Sequence, residues 1–226
     1  MLFCINTSHY YTPSIEILAD PKINVKLEWP QGTYAIPEPR NGCPREWSDG
    51  WRLQSTEKKN RYQRGIEKRM RIRIKKKRIQ TFYCVKTEQG SSDFEWSQGS
   101  YCIAKFERCP DKFQEGYIYW DDKNYKNRNK KWGTLPNGGY GRNTRVEYCC
   151  RNDGRHKNSI LLPTDHPFIL YRYGGRCQRV KGMRYTEYYV KWDDQNFRNK
   201  NKCRGSHPDS SCGRNQKLHF CYYRKK

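Results

Sequence analysis

The sequence predicts an all-β, disulfide-stapled single domain of many short antiparallel strands, built from three pseudo-repeats. Three observations carry this expectation. The chain repeats itself, its cysteines fall at matching places in the repeat, and short β-branched and aromatic runs alternate with turn residues along its length.

The repeat is plainest in the second half. WDDKNYKNRN from Trp120 and WDDQNFRNKN from Trp192 stand 72 positions apart, and 13 of the 30 residues from Trp120 to Cys149 are identical without a gap. A more diverged unit lies upstream: WPQGTYAI from Trp29 matches WSQGSYCI from Trp96, and CPREWSDGW from Cys43 matches CPDKFQEGY from Cys109. Each unit closes on an aromatic residue and a cysteine, at Tyr83 and Cys84, Tyr148 and Cys149, Phe220 and Cys221. The units span about 29–86, 96–151 and 162–224, within a domain of 27–226 that follows a leader of 1–26.

The repeat makes the cysteine pairing solvable. One cysteine follows the opening of each unit and one closes it, which gives Cys43–Cys84, Cys109–Cys149 and Cys177–Cys221, at separations of 41, 40 and 44. Cys102 and Cys150 occur only in the second unit, where the first has Ala35 and Val85; Cys203 and Cys212 occur only in the third, where the second has Lys131 and Tyr140. Cysteines peculiar to one unit are expected to pair with each other, as Cys102–Cys150 and Cys203–Cys212. Cys4 is left over. No C-x-x-C occurs and the five histidines do not recur between units, so zinc is not expected and no metal ligand is assigned. Intact bridges place the protein in an oxidising, extracellular setting. No signal peptide is visible after Met1, so an upstream segment is expected to be missing.

Strand-like runs occur at 25–29, 33–36, 116–120, 144–149, 160–162, 168–173, 188–192 and 217–223. Gly, Ser, Asn and Asp clusters at 88–93 and 152–159 read as linkers, and Gly138 to Gly141 reads as a hairpin turn. No segment holds a 3.6-residue period; a short helix competes only near 61–68. No run of 18 apolar residues exists, so no transmembrane segment is expected.

With 34% hydrophobic residues and a mean hydropathy of −1.21, the core is lean, which agrees with a need for covalent staples. Eighteen tyrosines and 15% aromatic residues argue against disorder. The net charge is +23, and residues 58–78 hold twelve Lys or Arg against one Glu, about half of that excess. Within this stretch Arg69, Arg71, Arg73 and Lys75 alternate with Met70, Ile72 and Ile74, which is strand periodicity with cations on one face. Lys76, Lys77 and Arg78 extend the run. These seven residues form a candidate polyanion patch, with a solvated basic hairpin as the plain alternative. Nucleic acid is an unlikely partner, because disulfides do not suit the nucleus.

The duplicated W-D-D-x-N-x-x-N-x-N is the candidate ligand site: Trp120, Asp121, Asp122, Asn124, Asn127 and Asn129, and again Trp192, Asp193, Asp194, Asn196, Asn199 and Asn201. Three readings stand. The oxygens and amides meet sugar hydroxyls while the indole offers a flat face. Or the oxygens take a calcium ion as cofactor. Or Asp and Asn cap a loop and the tryptophan is core. The first unit has Gln54, Ser55 and Thr56 at these places, so the site exists at most twice. Asp121 and Asp122 are neighbours that point to opposite sides of a strand, a poor pair for glycoside cleavage, and no Cys/His or Ser/His/Asp set clusters. No catalytic residue is assigned, and the chain is not expected to be an enzyme.

The ordered series resembles the apextrin C-terminal domain, the ApeC domain. It runs from WPQGTYAIP and GCP through FYCVK, WSQGSYCI, WDD, LPNGGYG, NTRVEYCCRNDG, ILLPT, PFILY and the second WDD to a closing CYY, over about 27–224. The resemblance implies an extracellular protein of innate immunity that binds bacterial peptidoglycan through its muramyl-peptide unit. The alternative it implies is an adhesion protein of matrix or cell apex, whose charge would meet sulfated glycans. Residues 58–78 depart from the family, whose members tend to be acidic and amide-rich there; this points to a more cationic specialist.

Overall fold

The computed structural model describes residues 27–226 except 91–92, 124 and 195–198; the leader and Cys4 lie outside the described residues. The chain is all-β. The first segment supplies β1 (Tyr34–Pro37), β2 (Ser48–Ser55), β3 (Arg61–Tyr62), β4 (Ile72–Lys75) and β5 (Arg78–Lys86). The second supplies β6 (Ser100–Lys105), β7 (Gln114–Trp120), β8 (Lys130–Gly133), β9 (Gly138–Tyr140) and β10 (Thr144–Asn152). The third supplies β11 (Phe168–Arg172), β12 (Met183–Lys191), β13 (Lys202–Gly205) and β14 (Lys217–Lys225).

Within each segment the long closing strand pairs antiparallel with the short opening strand and with the long second strand: β5 with β1 and β2, β10 with β6 and β7, β14 with β11 and β12. Between segments, β6 pairs with both β1 and β11. A second link is an exchange. The second segment lends β8 to β2, the third lends β13 to β7, and the first lends β3 to β12. The loan runs round a ring, so each segment completes another.

Burial follows from this pairing. Along β5, Tyr83 and Val85 face one apolar cluster, which also holds Trp120, Tyr148, Val190 and Trp192; Cys84 faces a second, with Tyr34, Trp96, Cys149 and Cys221. The closing strands are buried on both faces, which is why they read as unbroken apolar runs rather than as alternations. The five bridges are Cys43–Cys84, Cys109–Cys149, Cys177–Cys221, Cys102–Cys150 and Cys203–Cys212, the pairing that the repeat register implies. On the chain-entropy argument each loop of about 40 residues contributes ~4 kcal/mol.

Several local expectations shift. Residues 27–29 are not strand, and Ile160 makes only an isolated bridge to Val180. The competing helix is one 3-10 turn, Ile66–Lys68. Gly138 to Tyr140 is itself strand β9, and the chain reverses over 141–143 before pairing with β10. Among the described residues no helix is long and apolar enough to cross a membrane.

The exchanged strands come very close to their hosts. A Cβ on Gly50 would lie 2.1 Å from the Thr134 carbonyl oxygen, and one on Gly116 would lie 2.2 Å from that of Ser206. Both obstacles are backbone and cannot swing aside. Gly116→Ala is therefore expected to lower stability by about 1–3 kcal/mol in denaturant melts. Gly141→Ala, where a Cβ meets nothing within 4 Å, is expected to stay within about 0.5 kcal/mol of the parent.

Candidate functional site

The duplicated W-D-D loops sit where one segment hands a strand to the next. Each places an amide across a gap of roughly 70 to 130 residues. Ser55 N–H donates to Asn129 Oδ1 at 2.7 Å, Asp121 N–H to Asn201 Oδ1 at 2.6 Å, and Asp193 N–H to Asn60 Oδ1 at 2.9 Å. The neighbouring side chains answer. Asp193 accepts from Lys59 N–H, Asp121 from Lys200 N–H, and the Ser55 hydroxyl from Arg128 N–H. Each asparagine then donates its Nδ2 within its own loop, Asn129 to Asp122, Asn201 to Asp194 and Asn60 to Thr56. The polar groups of the motif form a three-part clasp, and Ser55, Thr56 and Asn60 fill the corresponding places in the first segment.

Asn127 and Asn199 brace the loops by donating to the carbonyls of Lys123 and Asp194. Asn124 and Asn196 lie outside the described residues. Trp120 and Trp192 are fully buried, with ring centroids 5.6 Å apart, and the Arg52 guanidinium lies 4.6 Å from the Trp120 centroid. The indole faces expected to meet a sugar are enclosed. Asp121 and Asp122 do point to opposite sides, toward residue 200 and toward residues 54 and 129. Both oxygens of Asp122 and of Asp194, and Oδ2 of Asp121 and of Asp193, accept from N–H or O–H donors. Among the described residues one group of metal-type ligands comes together, Cys203, His207 and Cys212, and its two sulfurs are joined to each other.

Asp122 accepts from Gln54 Nε2 at 2.9 Å, Asn129 Nδ2 at 2.7 Å and Thr144 Oγ1 at 2.5 Å. Burial nevertheless raises its carboxyl from the ordinary 3.8 to about 7, against these donors and the nearby Arg52 charge. Burial also raises Asp194 to about 6, opposed by Asn201 and by the N–H groups of Asn215 and Gln216.

Open surface lies elsewhere. A cleft of about 390 Å³ is walled by Trp29, Trp47, Arg45, Lys86, Pro163 and His166, with Glu28 and Glu46 at its margin. Trp29 and Trp47 are half-buried, 5.2 Å apart and tilted by 57°, and Trp29 stands edge-on to Phe168 at 5.2 Å. Lys86 Nζ is tied to the carbonyls of Gly32 and Glu88, so it holds the wall in place. The cleft offers flat apolar faces beside charges of both signs. The motif reading missed it because Trp47 stands where the second segment has Phe113, and a single aromatic difference carries no signal of exposure.

The seven-residue cationic patch divides. Arg71 pairs with the buried Glu38 carboxylate at 2.7 Å and covers Phe82 at 4.5 Å; Arg69 lies over Tyr222 at 5.7 Å. Both are half-buried. Arg73, Lys75, Lys76, Lys77 and Arg78 are exposed on the β4–β5 hairpin, while Met70 and Ile72 are buried beneath it.

A family model described as the C-terminal domain of apextrin (ApeC) matches residues 29–223. No curated protein and no solved structure matches the chain.

The clasp carries a pH signature. Because the folded Asp122 carboxyl holds its proton up to about 7, its contribution is full below about 4 and is lost as pH rises through 7. Asp122→Asn is uncharged throughout. It is expected to lower stability near pH 4, where the parent carboxyl is neutral, and to flatten the decline between pH 4 and 8 by an amount on the order of a few kcal/mol, so that the two proteins converge as pH rises. Thermal melts across that range check the slope.

Proposed function

Because the chain belongs to the ApeC family, the family of the apextrin C-terminal domain, we propose that it is a secreted innate-immune recognition protein that binds bacterial cell-wall peptidoglycan through the muramyl-peptide unit. The observation that carries this reading is the family match over nearly the whole chain. The bridged, all-β scaffold supports it, since rigid, stapled frames of this kind suit recognition outside the cell.

The Trp29–Trp47 cleft is the place we assign to the glycopeptide. A pyranose ring packs on an indole face, and the tilt between the two indoles lets one hold the sugar and the other its substituent. Arg45 and His166 stand ready for the peptide carboxylate, and Glu46 for an amide donor. The exposed cations of the β4–β5 hairpin add long-range attraction to anionic envelopes.

Oxidised protein is expected to sediment with insoluble peptidoglycan and to be displaced by soluble muramyl dipeptide. Trp47→Ala should weaken the specific, displaceable fraction by about tenfold, as loss of a buried aromatic anchor does. Absence of sedimentation at low salt would remove the peptidoglycan reading; unchanged displacement in Trp47→Ala would remove the cleft.

A further inference from the structure

The outward face of the sheet β4–β5–β2–β8 carries a second site, on the same strand as the cleft lysine Lys86 but at its far end. Arg78 and Lys86 are the two ends of β5, roughly 27 Å apart at strand rise. The site therefore lies apart from the cleft; it shares its hairpin cations with the long-range attraction of the peptidoglycan reading, and that reading is tested separately by muramyl-dipeptide displacement.

Register fixes what shares this face. Arg73 pairs with Gln80, Gln80 with Leu53, and Leu53 with Lys130, one residue from each of four strands. Lys75 pairs with Arg78 in the next row toward the hairpin tip. In the row on the other side, Phe82 pairs with Trp51 and Trp51 with Trp132. Directly paired residues project to the same side of a sheet, and rows two residues apart lie roughly 7 Å from one another. The opposite side is the core, where Ile72 and Ile79 are buried.

A row with a cation at each end, Arg73 and Lys130, thus crosses four strands, a span of roughly 14 Å, between the Lys75–Arg78 pair on one side and an aromatic row across three strands on the other. Between the cations is a cleft of about 220 Å³ lined by Leu53, Arg73, Lys75, Arg78 and Gln80. Trp132 is 57% exposed, and Trp51 is half-buried beside it. Arg73, Lys75, Arg78 and Lys130 have no ion-pair partner among the described residues, in contrast to Arg71 in the same hairpin. These charges sit on paired strands, so their backbone is already ordered, and only the side chains remain to be immobilised, at about 0.5–1.5 kcal/mol each.

We infer that this face binds an acidic polysaccharide laid across the four strands. Its sugar rings pack on Trp51 and Trp132, and its sulfate or carboxylate groups meet Arg73, Lys75, Arg78 and Lys130. A sugar chain fits better than single-stranded nucleic acid, because the face has one open indole rather than a series of stacking platforms.

The test measures binding of the oxidised full chain to heparin, a sulfated probe, and to polygalacturonate, a carboxylated one, across a salt series. A variant carrying Arg73→Ala, Lys75→Ala, Arg78→Ala and Lys130→Ala is compared with one carrying Lys181→Ala, Arg184→Ala, Arg224→Ala and Lys225→Ala, which loses the same charge from other exposed positions. The first is expected to bind about tenfold more weakly or worse, with a salt slope reduced by about three to four; the second should bind nearly as the parent does. Trp132→Ala should weaken binding while leaving the slope unchanged. Retention on heparin alone assigns sulfate, and retention on polygalacturonate alone assigns carboxylate. The inference is overturned by binding to neither probe, by equal losses in the two charge variants, or by an unaffected Trp132→Ala. Displacement of heparin by a single-stranded oligonucleotide as readily as by free heparin would overturn it too. Far-ultraviolet dichroism and melts of each variant confirm that it remains folded.

Discussion

Three asparagines decide how one part of this chain is held to the next. Asn60, Asn129 and Asn201 each accept a backbone N–H from a different segment and each anchor their own loop with the remaining amide. The side chain is used at both ends, and no other residue of that length has an acceptor and a donor so placed. Without these bonds the buried N–H groups of Ser55, Asp121 and Asp193 would face an interior with few other acceptors, and unmade buried bonds cost about 1–3 kcal/mol each. The exchanged strands β3, β8 and β13 are two to four residues long and mostly polar. Such strands gain little from burial, so the clasp and the pairing with a host strand are what keep them in place.

Charge is handled in the same way, by separating what is structural from what is free. Arg52 is buried against Trp120 and hydrogen-bonded to Thr81, and Arg71 neutralises the buried Glu38. Arg151 likewise pairs with Asp153 and reaches the Trp96 carbonyl. These arginines are part of the frame. Among the cations left at the surface, five stand together on the β4–β5 hairpin, whose apolar underside is fixed to the core through Met70, Ile72 and Ile79.

Much of this was legible in the sequence, and the parts that were not have physical reasons. The bridges could be read because a repeated geometry reuses its cross-links. Strands β7, β10, β11, β12 and β14 could be read from β-branched and aromatic runs. Strand β2 could not, since Arg52 and Gln54 point inward and break the pattern of an apolar face. Strands β8 and β13, KKWG and KCRG, owe their conformation to a partner in another segment, and local preference holds no record of that partner. The W-D-D motif announced a capped polar loop. It did not reveal that the loop's partners lie across the segment boundary, nor that Trp120 and Trp192 would meet each other. The open aromatic cleft, in turn, is assembled from residues near 29, 45, 86 and 166, which share no motif.

The ring of lent strands has a corollary for how such a chain fails. A polypeptide cut after β10 would leave β7 without β13, β3 without β12 and β6 without β11, bare edges with their hydrogen-bonding groups turned outward. A second molecule in the same condition lacks those strands too and offers only bare edges of its own. Truncation would then not release a smaller independent unit; it would leave raw sheet margins that join molecule to molecule, edge against edge, and end in aggregation.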